Sequence, residues 1–317
     1  MDPTNHSQKG FTLVEMIMVI VITGILSGMV AVFIKGPVES YFDMARRAEL
    51  TDVADTAVRR MARDIRSSVP NTLRNPTDGS DQCIEFVPAK AGARYRADQA
   101  APLTPTCPGA APCGDILDFT ATDASFDMLG QNASLPAAAQ IAAGDIIVVY
   151  NDGSTRGNAY AGTNAILVAA SGVTAGATTG TDKINFTAAG ALTTIFGRKL
   201  FPSSSPANRF LVVPANEQVV SFACSGGTLF RYSRLITSRT AAWAQPATCA
   251  AMAAAATGSP ITSAILATNV NTCSLKYEAP GSGSGGGRFG LVSISLGMTQ
   301  TGESVSLYNQ VHVDNTP

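Results

Sequence analysis

The chain has 317 residues, a net charge of −1 and charged residues at only 14%. That length suits one large domain or two modest ones, and the charge leaves no basic face large enough to suggest nucleic acid as a partner. Apolar residues reach 45% but are unevenly spread, with one almost wholly apolar block near the start and Ala, Gly, Ser and Thr crowding the middle.

The chain opens on a short polar stretch, "MDPTNHSQKG", and then runs for 24 residues, Phe11 to Ile34, with a single charge, Glu15. As a helix this run extends about 36 Å, enough for a hydrocarbon core of about 30 Å with some tilt. It is too long for the apolar region of a secretory signal peptide and lacks the small-residue cleavage site beyond it. A plain signal anchor fits the length but gives no reason for Glu15, because a charge inside a bilayer costs around 2.5–3.5 kcal/mol on insertion scales. Such a carboxylate is a functional signal that requires a partner. Lys9, the amino terminus and His6 favour a cytoplasmic N-terminus, partly offset by Asp2, which sends the rest of the chain to the periplasm. Gly24 and Gly28 have a GxxxG spacing that either permits close helix approach or only softens the helix locally.

The helix is expected to continue past Lys35, with a bend at Gly36-Pro37. From Tyr41 the pattern is amphipathic: Phe42, Ala45, Val53, Ala54, Ala57, Val58, Met61, Ala62 and Ile65 recur at spacings near three and four. Charged residues cover the other side, and most of them read as a solvated face. Asp43 with Arg47 and Asp55 with Arg59 are acid-before-base i,i+4 pairs. Pro70 ends the helix, giving a rod near 55 residues.

Beyond Pro70 the period switches toward two, and short apolar runs bounded by turn residues suggest strands at 83–88, 115–120, 145–150, 165–170, 183–187, 209–214, 218–224, 228–236, 273–279, 288–298 and 304–313. Hairpins are expected at 218–236 around Gly226-Gly227 and at 288–313 around Gly302. The fold class is therefore α+β, a long N-terminal helix packed on a mostly antiparallel sheet. The stretches 99–113, 241–260 and 281–287 read as loops.

Six cysteines, Cys83, Cys107, Cys113, Cys224, Cys249 and Cys273, all follow the apolar block. An even number beyond a membrane segment fits disulfides in an oxidising compartment, although spacing alone leaves 15 connectivities open. The favoured arrangement pairs cysteines within the groups 83/107/113 and 224/249/273, with one link between groups. Cys107 and Cys113 can close a small loop.

No constellation supports catalysis, and neither a cofactor nor a metal is expected. His6 belongs to the leading stretch and His312 stands alone on a terminal strand. The glycine run 281–287 lacks the G-K-[ST] ending of a phosphate loop. Carboxylate pairs such as Asp123/Asp127 are too common and too exposed in character to single out.

The sequence "KGFTLVE" ahead of an apolar helix resembles the leader and N-terminal methylation motif of the type IV prepilin family. The resemblance implies that a dedicated prepilin peptidase cuts after Gly10 and methylates the new first residue, Phe11, and that Glu15 is the family's shared acid. Cleavage would then place a cationic amine on Phe11 at the edge of the apolar phase. A carboxylate one turn away, on the same or a neighbouring chain, would neutralise it. "RRMARDIRSSVPN" (59–71) resembles the run after the helix in large minor pilins and pseudopilins, and "GESVSLYNQVHVDNTP" (302–317) is similar to minor pilins of MSHA (mannose-sensitive haemagglutinin) pili.

Taken together, the resemblance implies a leader at 1–10, a membrane helix at 11–34, its amphipathic continuation at 35–69 and a periplasmic or extracellular β-rich domain at 70–317. The implied function is a minor pilin acting in assembly or at the filament tip. The alternatives are a type II secretion pseudopilin and a tip adhesin that binds a surface or glycan. Implied partners are other major and minor pilins, the peptidase, an inner-membrane assembly platform and, before assembly, membrane lipid; the implied location is the bacterial inner membrane and then the cell-surface pilus.

Overall fold

The computed structural model describes residues 10–105, 107, 109, 112–188, 196–197, 200–236, 243–254, 260–280 and 289–317. Helix α1 (Leu13–Arg66) is 54 residues long and, at about 1.5 Å per residue, extends roughly 80 Å. It runs unbroken through Pro37. Its end is set locally. The Ser67 N–H donates to Arg63 O, and Arg63 and Arg66 lie in the last turn, where their charge suits the dipole.

The C-terminal part of α1 buries one stripe: Leu50, Ala54, Ala57, Val58, Met61, Ala62 and Ile65. These recur at the three- and four-residue spacing that keeps one helix face turned to a core. Phe42 and Ala45, expected on the same packed face, are exposed instead. The reason is reach. Near this level the domain meets α1 through Glu303, which pairs with Arg47 at 2.7 Å just after the last hairpin turn. Above it the sheet has no more strand to offer.

After α1 come β1 (Cys83–Phe86), β2 (Ala91–Arg94), β3 (Ser125–Met128), β4 (Ile146–Val148), β5 (Ala165–Ala175), β6 (Asp182–Phe186) and β7 (Arg209–Val213). Next are β8 (Val219–Ser225), β9 (Thr228–Arg234), the short helix α2 (Cys249–Ala253), β10 (Ile261–Ala267), β11 (Val270–Glu278), β12 (Phe289–Gln300) and β13 (Glu303–Asp314). All pairings between these strands are antiparallel, in three sheets rather than one: β1-β8-β9-β10, β11-β12-β13 and β2-β7-β4-β5-β6-β3.

The first two sheets share one core with α1, in which Met61 and Ile65 join Phe86, Phe222, Ile294, Leu296, Val311 and Val313. The six-stranded sheet closes on itself, because its two edge strands meet at the Tyr95↔Met128 bridge. Inside it Phe126 packs against Phe186 and Phe210 at centroid distances of 5.5 and 5.2 Å. Its outer face, including Ile146, Val148 and Val213, packs on Val69, Val87, Val219 and Trp243.

Several expectations need correction. Residues 115–120 form no strand; Asp118 instead accepts from the backbone N–H and hydroxyl of Thr120, an Asx-type turn that competes with a ladder. Strands β2, β3 and β10 lie outside the expected set, and a one-turn helix, α2, interrupts the loop 241–260, parts of which lie outside the described residues along with 281–287. Asp127 is fully buried rather than exposed, 3.5 Å from Arg96 and accepting from the Asp115 N–H. Asp43 pairs with Arg46 rather than Arg47, leaving Arg47 free to reach Glu303; Asp55 does pair with Arg59, at 2.6 Å.

The structure joins Cys83–Cys249, Cys107–Cys113 and Cys224–Cys273. The first fastens α2 to the edge of the four-stranded sheet. The last ties that sheet to the three-stranded one.

Candidate functional site

The residues singled out at the N-terminus sit where α1 begins. Thr12 is the N-cap, with extended backbone (φ −77°, ψ 151°), and its Oγ1 accepts from the Glu15 N–H at 3.3 Å. The Thr12 carbonyl also accepts from the Glu15 and Met16 N–H groups. Thr12-x-x-Glu15 is thus a capping-box pattern, with Glu15 in the first turn, where the helix dipole favours an anion. That cap is legible in the sequence as Thr followed three residues on by Glu ahead of an apolar run.

Phe11 precedes the cap and is 80% exposed; Gly10 is exposed before it. One helical turn separates Phe11 from Glu15. A cation on the Phe11 nitrogen would face the positive end of the helix dipole, which repels it, so the Glu15 carboxylate is the local group able to hold it.

From Phe11 to Met44 every large apolar side chain is exposed. Within this half the apolar window has a mean hydropathy of 2.7 and none of it is covered by the described residues. Gly24 and Gly28 lie one turn apart on this bare surface, where an added Cβ would meet nothing within 4 Å beyond the helix's own neighbouring backbone, and Thr23 returns its hydroxyl to Val19 O at 2.6 Å, satisfying itself within the helix. Lys35 and Glu39, 3.8 Å apart, mark the return of charge beyond the apolar run.

The site also has a mount. Arg231 on β9 is clamped between Asp64 of α1, at 2.9 Å, and Glu217, which fixes the helix to the four-stranded sheet. Burial works against its charge, but the two carboxylates more than offset this and raise its pKa. Asp64–Arg231 and Arg47–Glu303 both tie α1 to the domain, and of these Arg47 belongs to the face expected to be solvated. Spacing along the helix cannot reveal partners that lie 256 and 167 residues away.

Residues 5–31 match the family model for the prokaryotic N-terminal methylation motif. The chain carries a prepilin-type N-terminus. That match covers part of the polar opening stretch and most of the apolar run, and it supports a structural protein of the type IV pilin or pseudopilin kind. The apolar helix behind the motif fits membrane anchoring. No curated protein and no solved structure matches the chain.

Proposed function

We propose that the protein is a minor pilin of a type IV pilus of the MSHA kind. Its leader (residues 1–10) is removed after Gly10, Phe11 is N-methylated, residues 11–34 hold it in the inner membrane with the domain in the periplasm, and it then enters a filament with other pilins. The observation that carries this reading is the bare apolar half of α1 headed by the methylation motif. That surface is too large to face water and needs lipid first and neighbouring helices afterwards.

Glu15 supplies the switch between those states. Before processing it is a lone acid at the edge of an apolar run; afterwards it has a cationic amine to pair with, on its own chain or the next. A broad three-sheet domain on a single helix repeats poorly along a dense fibre, which favours a low-copy position near the tip.

The test is Glu15→Leu in the native cell. Membrane insertion should persist while recovery in sheared filaments falls to background; normal incorporation would contradict the pairing role. A pseudopilin of a secretion system rests on the same physics, and co-purification with a secretion-system pseudopilus rather than pilus subunits would select it.

A further inference from the structure

The three sheets have six edges among the described residues, and the chain covers four of them. The edges β2 and β3 of the six-stranded sheet meet at the Tyr95↔Met128 bridge. The inner edges of the other two sheets, β1 and β11, lie side by side. Asn75 Nδ2 donates to Cys83 O and Leu275 O at 2.7 and 2.8 Å, and the Cys224–Cys273 disulfide crosses the same seam. The outer edges, β10 and β13, have no hydrogen-bond partner on their free sides among the described residues. Helix α1 lies against both strands.

An uncovered edge is a row of unpaired N–H and C=O groups, and proteins guard such rows with lysine, proline, bulges or short strands. Here those guards are largely missing. β13 is 12 residues long without lysine, arginine or proline, and its acids stand at its ends, with Glu303 held by Arg47. β10 is 7 residues long without charge or proline, and its register shift is confined to Ile265–Ala267. Each edge also exposes one large apolar side chain, Ile265 at 62% and Tyr308 at 64%. Both face away from α1. Ile265 stands opposite Phe230, whose neighbour Arg231 turns the other way to Asp64 of α1. Tyr308 lies on the strand face opposite to Val311 and Val313, which enter the core beside α1.

Strand direction decides what can dock. Gly227 O accepts from the Val270 N–H and Cys224 is joined to Cys273, so β8 and β11 run in opposite directions. Carried through the antiparallel pairs on each side, this sets β10 and β13 opposite as well. Two copies in one orientation, as apolar helices in a shared membrane impose, can therefore lay β10 of one antiparallel to β13 of the next. The turns at Gly226-Gly227 and Thr301-Gly302 fix which backbone groups are already engaged, because the residues flanking a two-residue turn bond each other. Alternation then turns the N–H groups of Ile261, Ser263 and Ile265 outward on β10, and those of Tyr308, Gln310 and His312 outward on β13. Setting Ile265 against Tyr308 brings Ser263 against Gln310 and Ile261 against His312. No charge opposes another in that register, and a branched side chain beside an aromatic one is a favourable cross-strand pair.

We propose that the protein joins a second copy of itself by adding β10 of one copy to β13 of the next, with Ile265 beside Tyr308. The contact is heterologous: every assembly keeps one free β10 and one free β13, so it extends without closing. Two copies already use it, which suits a low-copy position. It rests on the anchored reading only for the shared orientation of the copies.

The test is sedimentation of the full chain in detergent over a range of concentrations, with the variants Ser263→Pro and Gln310→Pro. Each proline deletes an outward N–H and no bond within the sheets. Wild-type chains should associate progressively. Either variant alone should associate at least about tenfold more weakly, since a carbonyl at the contact loses its donor. An equimolar mixture of the two should form one-to-one pairs, through the β13 that Ser263→Pro keeps and the β10 that Gln310→Pro keeps. A short bis-maleimide should also join Ile265→Cys to Tyr308→Cys and neither to itself, which decides the matter if a proline variant fails to fold. Chains that stay single at every concentration, as they would if these edges await an extended peptide, would overturn the proposal. So would association that survives either proline, as helix packing or a β13–β13 contact would give. Release of the wild-type chain from membranes at alkaline pH would count against anchoring alone and leaves the mixing result to decide the edge contact.

Discussion

α1 is one helix in two environments. Its C-terminal third is covered by two sheets of its own chain, with Ala54, Met61 and Ile65 fully buried. Its N-terminal half is far more apolar and is covered by none of the described residues. The composition of the two halves explains the difference. The packed part carries a stripe of apolar positions with charges around the rest, so one face suffices and water takes the other. The bare part is apolar all round, a pattern that only an apolar surround on every side satisfies, and a single domain cannot supply it. The first half of the helix therefore calls for an apolar surround from outside the domain, whereas the C-terminal part finds one in its own chain.

The strongest way to break this comparison is through the charge buried in the self-sufficient half. Glu85 is fully buried, accepts from Arg74 at 2.6 and 2.9 Å and from Trp243 Nε1 at 3.1 Å, and lies 3.6 Å from Arg234. Burial pulls the Arg234 pKa down, and Glu85 opposes that. Glu85→Ala strands both guanidiniums and should cost about 3–5 kcal/mol in thermal or urea unfolding. Little change would mean that water reaches this network.

Next is a paired truncation along α1 itself. Met61→Ala should destabilise the domain by about 2–5 kcal/mol, whereas Ile20→Ala should leave domain unfolding in detergent unchanged. Equal effects would show that the two halves unfold as one unit. A third test removes the link that spans 166 residues, through Cys83→Ala with Cys249→Ala, at a cost of about 2–5 kcal/mol and more than the loss of Cys107–Cys113, whose separation is 6. The smallest expected effect is at the boundary. Arg47→Ala removes an exposed clamp to Glu303 and should cost no more than about 1 kcal/mol.

What was legible from sequence follows the same division. The helix showed itself through composition and then period, and its caps are local. The hairpins were readable because glycines, which adopt positive φ freely, mark their turns: Gly226 and Gly227 at 55° and 75°, and Gly302 at 88°. Strand β2 was not readable, because Ala-Gly-Ala-Arg has little strand preference and is held by its pairing with β7 and by the closure against β3 at its end. The same holds for β10, whose alternation is lost among Ser and Ala and whose apolar Ile265 faces solvent. The number of sheets and the closure at Tyr95↔Met128 depend on contacts between distant segments, which no local pattern encodes. Of the residues given a role in the proposed function, Gly10, Phe11 and Glu15 lie within one short motif.

The most direct measurement is the mass of the N-terminal peptide of the protein recovered from its native cell. If the bare half of α1 is completed by partners after an amine is unmasked beside Glu15, that peptide begins at Phe11 and carries one added methyl group. A peptide that begins at Met1, or anywhere other than Phe11, would contradict the account.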